Sequence, residues 1–452
     1  MREWFTEDCP AMEWRMLRVV GARAVVACVV LGLAGTGGAG RAATLEGRMK
    51  ELLGSPLVKG ALVSMDVVEV KGNGGSVELF GHNATMPLGP ASNCKILTTA
   101  AALEKYGARA SFKTYLYKVG EDLVVVGGGD PGLGDPKIAE AKGEKITTAF
   151  ERWAEVLKRA GVVQFRDLVI DDRVFDAERV NPNWPAHDAG EWFCAPIGGL
   201  NFNDNCDAKG APVKDPGMFA GGVLRDVLKG AGIRQTGGVR RVEPQEQVGA
   251  GVLVASAETP LMEVIGRANK NSLNMMAECL CKRLGHDAAS GSGGGIQGSW
   301  ENGTASVMAY VTGLGADPSW VTLDDGSGLS NKNRVAARAF TMVLAHVAGA
   351  GIEGGHGENA DVGNLFVDSL AIPGEDGTLK HRFRGMSVAK AIHAKTGHIS
   401  GVSTLSGYID ASTKEGKTRR IAFSILCNKY QGNVNPWQDQ VCQAIYQWAV
   451  GK

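Results

Sequence analysis

Ser92 and Lys95 stand three residues apart in the run Pro90-Ala91-Ser92-Asn93-Cys94-Lys95. On a helix that spacing puts both side chains on one face, so the lysine amine can reach the serine hydroxyl as its base. A serine activated in this way attacks a carbonyl and holds the acyl group as an ester. Two later runs supply what such chemistry needs. Ser272-Leu273-Asn274 puts a hydroxyl and an amide at the start of a helical stretch, where a loop can present them. Lys395-Thr396-Gly397 offers a cation for a carboxylate, and a glycine that lets a substrate backbone approach closely. Alone, each run has an ordinary explanation. Ser-x-x-Lys occurs at helix starts, Ser and Asn are favoured caps, and a strand-end lysine is commonly solvated.

These residues need particular elements to present them. Pro90 suits a first helical position, Ala100 to Leu103 favour helix, and Gly107 can end one, so Ser92 belongs near a helix start. A hairpin leads into it: β-formers fill Ala61 to Val70 and Ser76 to Phe80, with Gly72-Asn73-Gly74-Gly75 as the turn. Short strands are expected at Lys113 to Tyr117, Asp122 to Val126 and Asp167 to Asp171, and helices at Ile146 to Ala160 and Met218 to Gly230. Gly127-Gly128-Gly129-Asp130-Pro131 reads as a turn, since Pro131 replaces the helix that a dinucleotide loop would require. Gly251 to Ala255 is strand-like, and Thr259-Pro260 is expected to cap a helix through Ala268. The stretch between Lys95 and Ser272 is far longer than a loop and predicts an inserted domain. Ser272 and Asn274 open a helical stretch to Leu284 with Met276, Leu280 and Leu284 along one stripe. Asp324 to Ser330 is turn-like. Ala391 to Lys395 and Ser403 to Asp410 read as strands joined by a loop from Thr396 to Val402. A strand at Ile421 to Cys427 and a helix at Trp437 to Val450 complete an α/β (α+β) sheet flanked by helices.

The chain has 452 residues, enough for two or more domains. Lys+Arg and Asp+Glu both total 48, so no global charge draws it to nucleic acid or anionic membrane. Arg15, Arg18 and Arg23 precede an apolar run from Ala24 to Ala34, and a small-residue stretch ends in Arg41-Ala42-Ala43. This is the layout of a secretory signal over residues 1–43, and it predicts export, to the periplasm in a cell with an outer membrane. The run falls short of the roughly 20 residues that span a bilayer, so no stable membrane span is expected. Of nine cysteines, Cys9 and Cys28 lie in the leader. Export permits pairing of Cys194 with Cys206 or Cys427 with Cys442, while buried free thiols are the plainer expectation. No His/Cys set has zinc spacing, and no metal or organic cofactor is expected.

The three runs come in the order found in serine enzymes that acylate on penicillin. Gly128-Gly129-Asp130-Pro131, Asn201-Phe202-Asn203-Asp204-Asn205, Asn269-Lys270-Asn271-Ser272-Leu273-Asn274, Asp325-Gly326-Ser327-Gly328-Leu329-Ser330 and Asp376-Gly377-Thr378-Leu379-Lys380 accompany them in order. The whole set resembles the D-alanyl-D-alanine carboxypeptidase/endopeptidase family, the class C low-molecular-mass penicillin-binding proteins, from about Leu45 to the end. The resemblance implies a penicillin-recognising serine transpeptidase-like domain, with a mixed antiparallel sheet flanked by helices, split by an inserted smaller domain. The expected division is 44–110 with 257–452 for that domain and 111–256 for the insertion. It implies peptidoglycan stem peptides as substrate and β-lactam antibiotics as ligands. It also implies Ser92 as nucleophile, Lys95 as base, Ser272 and Asn274 as relay and positioning groups, and Lys395, Thr396, Gly397 and His398 lining the pocket. The backbone N–H groups of Ser92 and His398 would form the oxyanion hole.

A lysine serves as base only if its pKa falls well below about 10.4, and burial together with the second cation, Lys395, is expected to lower that of Lys95. Three features depart from the family pattern. Leu273 replaces a commonly acidic residue and is expected to point into packing. His398 replaces a common hydroxyl residue, and either contacts the substrate carboxylate, with pH dependence near 6 to 7, or fills space. Only residues 206–217 separate Asn205 from the Met218 helix, so the insertion is expected to be reduced. A serine β-lactamase and a non-catalytic cell-wall binding protein of the same fold are the alternatives. The first lacks a Glu that the sequence marks as deacylating base; the second sits poorly with three intact motifs.

Overall fold

The computed structural model describes residues 44–243, 246, 251–290, 296–349, 358–413 and 416–451. Residues 1–43, on which the expected leader with Cys9 and Cys28 falls, lie outside them. Thr44 accepts the Gly47 N–H and starts helix α1 (Leu45–Leu53). The hairpin follows as β1 (Leu62–Val70) and β2 (Ser76–His82), joined through a short 3₁₀ turn at Gly72–Gly74. A 3₁₀ turn at Ala91–Asn93 runs into α2 (Cys94–Tyr106), which stops at Gly107.

Residues from Ser111 to Pro260 build a separate sheet. Its strands are β3 (Ser111–Val119), β4 (Asp122–Gly127), β6 (Leu168–Asp171), β8 (Val239–Arg241) and β9 (Val252–Pro260), in the order β8-β6-β4-β3-β9. The pair β5 (Gln164–Phe165) and β7 (Arg234–Gln235) lies beside it, and α3 (Pro136–Lys142), α4 (Thr148–Arg159) and α5 (Pro216–Gly230) connect the strands. β3 pairs antiparallel with β4 and β9, whereas β4, β6 and β8 run parallel. Trp153, Leu157, Leu224 and Leu228 seal its core with Leu123, Val125 and Ile170.

The remaining elements are α6 (Leu261–Lys270), α7 (Asn274–Ser290), α8 (Trp300–Gly313), β10 (Val321–Thr322), β11 (Arg334–Val335), α9 (Ala337–Gly349) and α10 (Glu358–Asp368). Then come β12 (Ile392–Ile399), β13 (Val402–Ser412), β14 (Thr418–Asn428) and α11 (Asn435–Ala449). The principal sheet has the order β12-β13-β14-β1-β2 and is antiparallel at every ladder. Alternation along β14 explains its three layers. Ile421, Phe423, Ile425 and Cys427 face α1 and α11 through Met49, Trp437, Val441 and Ile445. Ala422 and Leu426 face the opposite layer, with Leu97 of α2 and Phe340 and Leu344 of α9. Each large apolar side chain so buried contributes roughly 1.5–3 kcal/mol relative to exposure.

Two local expectations change. Ile399 pairs with Val402, so the link between β12 and β13 is the tight turn Ser400-Gly401, and Thr396 to Ile399 are strand. Polar Thr396 and Gly397 read as loop because the ladder that holds them is not visible locally. Thr259 lies inside β9 with its hydroxyl donated to Asp130 Oδ2 at 3.0 Å, so it caps nothing; Pro260 is the residue before α6. Cys94, Cys194, Cys206, Cys279, Cys281, Cys427 and Cys442 are all buried free thiols, so neither cysteine pairing is formed. Among the described residues, no helix is long and apolar enough to cross a membrane.

Candidate active site

Ser92 sits in the 3₁₀ turn that begins α2, and Ala91 before it takes φ 45°, a conformation that costs a non-glycine residue about 1–3 kcal/mol. The turn is held in that shape from two sides. Thr404 Oγ1 on β13 donates to Pro90 O at 2.9 Å. On the other side Gly328, at φ 86°, lies so close that a Cβ there would stand 1.8 Å from Ala91 O. The Asp325 to Ser330 run, which alone reads as a turn, is therefore packed into the serine.

Lys95, fully buried one helical turn on, donates to Ser92 Oγ at 3.0 Å, Asn274 Oδ1 at 2.6 Å and Ser327 O at 2.9 Å. The Asn274 orientation is fixed, because its Nδ2 donates to the Phe193 carbonyl at 2.7 Å and that carbonyl can only accept. Asn274 Oδ1 and Ser327 O are likewise acceptors only. When Lys95 loses its third proton, the two that remain stay on these oxygens and the lone pair faces Ser92 Oγ. Burial lowers the Lys95 pKa to about 8, against the opposing pull of Glu278 and Asp325. Lys95 and Lys395 repel each other: the charge of Lys95 joins burial, the larger cause, in lowering the Lys395 pKa well below its ordinary value.

Ser272, with φ 60°, occupies the bend between α6 and α7 and accepts from Lys395 Nζ at 2.8 Å. Leu273 beside it points into the core. Lys395 is fully buried on edge strand β12 and also donates to Thr396 O at 2.8 Å. Register places Lys395 opposite Ser406 and Gly397 opposite Thr404, so this row faces the serine turn. A Cβ on Gly397 would lie 3.0 Å from Ser92 N and 2.9 Å from Pro90 O; only glycine allows that approach.

Thr396 and His398 alternate with that row. Thr396 Oγ1 donates to Thr378 Oγ1 at 2.8 Å, and His398 is exposed, with Nδ1 3.4 Å from Tyr430 Oη. Ala394 exchanges both backbone bonds with Ala371 beyond the sheet edge. In an antiparallel ladder alternate residues point the same way, so the His398 N–H also leaves the edge outward, on the strand that Gly397 holds against Ser92 N. The structure thus brings Ser92, Lys95, Ser272, Asn274, Lys395 and Gly397 together, and puts the Thr396 hydroxyl and the His398 imidazole on alternate positions.

Sequence reasoning missed four contributors. Phe193 O and Ser327 O act through backbone and carry no residue signal. Glu278 and Asp325 are buried carboxylates beside Lys95; a Glu four residues after Asn274, amid Met, Ala, Cys and Leu, was the available sign.

The family model described as D-Ala-D-Ala carboxypeptidase 3 (S13) matches residues 45–209 and 207–450. The chain belongs to this family. It is accordingly a serine-type peptidase of the D-Ala-D-Ala carboxypeptidase class. It is 28% identical to the D-alanyl-D-alanine carboxypeptidase of Actinomadura sp. (strain R39), over 84% of this chain and 80% of that protein. Carboxypeptidase DacB of Mycolicibacterium smegmatis is 26% identical, over 78% of this chain and 74% of its own. In fold it resembles penicillin binding protein 4 (dacB) from Haemophilus influenzae, with TM-score 0.70 and 21% identity, covering 88% of this chain and 98% of that one. A predatory peptidoglycan endopeptidase from Bdellovibrio bacteriovorus matches at TM-score 0.52 and 18% identity, over 86% and 94%.

Proposed function

We propose that this S13 peptidase acts on peptidoglycan stem peptides, as a D-Ala-D-Ala carboxypeptidase and/or endopeptidase, through an acyl-enzyme on Ser92, and that β-lactams acylate the same oxygen. The observation that carries the reading is the Lys95 amine, whose two fixed carbonyl acceptors leave its lone pair facing Ser92 Oγ. In this scheme Lys95 takes the Ser92 proton as Oγ bonds to the penultimate D-alanine carbonyl carbon. The Ser92 and His398 N–H groups receive the oxyanion, each such donor lowering the barrier by about 3–4 kcal/mol. Collapse breaks the C–N bond as Ser272 gives the leaving amine its proton and takes one in turn from the Lys95 ammonium, which leaves Lys95 neutral again. Lys395 binds the terminal carboxylate, Asn274 and the Thr396–Gly397 backbone position the peptide, and His398 borders the pocket. Water then cleaves the ester, with Lys95 again as base.

The domain division and the location follow the same reading. The sheet closed by β3 and β9 supports treating the segment after α2 as the inserted unit, with its end moved from 256 to 260. The leader pattern at 1–43 and a substrate outside the cytoplasmic membrane support export to the periplasm or its equivalent.

The test is intact-mass spectrometry after brief exposure to a penicillin, with Ser92→Ala alongside and a pentapeptide ending in D-Ala-D-Ala in parallel. An adduct on wild type alone, with D-alanine released, is the expected result. A persistent adduct on Ser92→Ala would refute the nucleophile, and neither adduct nor release from folded protein would refute the activity.

A further inference from the structure

Glu278 lies one turn beyond Asn274 on α7, fully buried, and touches none of Ser92, Ser272 or Lys395 through the hydrogen bonds of the site. Its carboxylate nonetheless accepts three N–H groups. Oε1 accepts the Ser327 N–H at 2.8 Å, and Oε2 accepts the Gly326 N–H at 2.9 Å and the Trp300 indole N–H at 2.8 Å. Thr98 on α2 donates to Gly326 O at 2.7 Å, so the Gly326–Ser327 peptide unit is gripped on both sides. The same Ser327 residue presents its carbonyl to Lys95. Gly326 has no room to be anything else, since a Cβ would stand 2.6 Å from Cys281 Cβ and 2.7 Å from Ala277 O. A buried carboxylate is costly, and one kept here to bind two amides of a single turn calls for a use.

We propose that Glu278 is a positioning residue for the base: it pins the Gly326–Ser327 peptides so that the Ser327 carbonyl holds a Lys95 proton and the amine lone pair stays on Ser92. The proposal deepens the acyl-enzyme reading and rests on it. Glu278 also acts at a distance, since its negative charge favours the ammonium form of Lys95. Burial and the neighbouring Asp325 raise Glu278 itself to about 7, against the hydrogen bonds that hold its anion. The other titratable groups around it are Lys95, Asp325, Lys282 one turn on, and the thiols Cys94, Cys194, Cys279 and Cys281, which burial pushes up and keeps neutral. Lys282 is committed to Asp176 at 2.7 Å, and its Nζ lies 3.7 Å over the Trp300 ring.

The experiment follows acylation of the full chain by a fluorescent penicillin between about pH 6 and about pH 10, for wild type, Glu278→Gln and Trp300→Phe, with thermal melts and adduct mass. Glu278→Gln sets an amide NH₂ against a backbone N–H and removes the charge. Its maximal acylation rate should fall at least about tenfold, and its acid limb should move about half a pH unit or more to lower pH. Trp300→Phe keeps the ring under Lys282 but withdraws one donor from the anion; the loss should be roughly threefold, with the limb displaced the same way. A role confined to folding would lower melting temperature and rate but leave the limb in place. An unmoved limb, or a rate within about twofold of wild type, in whichever variant folds, overturns the proposal. A wild type that takes no penicillin refutes the acyl-enzyme reading itself, which the variants alone cannot do.

Discussion

Asn274 Oδ1 stands 2.6 Å from Lys95 Nζ, and the amide that carries it is anchored by Phe193 O at 2.7 Å, on the segment between β6 and α5. The base is therefore oriented by a chain segment that lies outside both elements bearing Ser92 and Asn274. Orientation matters because a lysine with free rotation would spend its lone pair on water. Here both spare protons are tied to oxygens that cannot donate.

Acylation should follow the neutral fraction of Lys95. Burial holds its pKa near 8, so below that value most of the enzyme carries an ammonium with no lone pair. The acylation rate should climb about tenfold per pH unit on the acid side and level off above pH 8. A rate-pH profile flat between about pH 5.5 and about pH 7.5 would remove Lys95 from the base role. Lys95→Arg, which stays charged, should lose at least about 10³-fold.

The Ser92 to Lys95 spacing was legible because a helix turns chemistry into periodicity, and the structure does place both on one face within 3.0 Å. The hairpin before it was legible from β-formers on both sides of a glycine-rich turn, which the structure places at Gly72–Gly74. Gly397 looked like loop for want of local signal. Its place in β12 depends on partners in β13 and on the Pro90 turn, both distant in sequence. The shell of Lys95 was hidden differently. Ser327 O and Phe193 O are backbone atoms, the same in every residue, and only the fold selects which carbonyl meets the amine.

Gly397→Ala should separate the two N–H groups assigned to the oxyanion. The added methyl would lie 2.2 Å from Thr404 Oγ1, which itself holds Pro90 O, and 3.0 Å from Ser92 N. β12 must move off the serine turn to admit it. The expected result is acylation at least about 10²-fold slower, the scale of losing one oxyanion donor, read in single-turnover penicillin labelling. Labelling within about threefold of wild type would mean that the edge strand can yield without cost to the site.

Asp130 should make the protein less stable as pH rises. It is fully buried, accepting from Gly132 N at 2.8 Å and Thr259 Oγ1 at 3.0 Å, and burial raises its pKa to about 7. An unfolded aspartate loses its proton near pH 4. Between these values the folded state binds more protons than the unfolded one, so stability falls with each step of pH and stays low above 7. Asparagine keeps the shape, can accept from Gly132 and can donate to the Thr259 hydroxyl. Asp130→Asn should therefore flatten the decline and gain, at pH 8, up to something on the order of 4 kcal/mol over wild type. Glu278, also raised to about 7, would retain its own share of the slope in that variant. Urea midpoints at about pH 5 and about pH 8 measure both effects. If wild type and Asp130→Asn declined in parallel, the Asp130 carboxylate would have to be ionised in the folded protein, and its two donors would then be stabilising an anion.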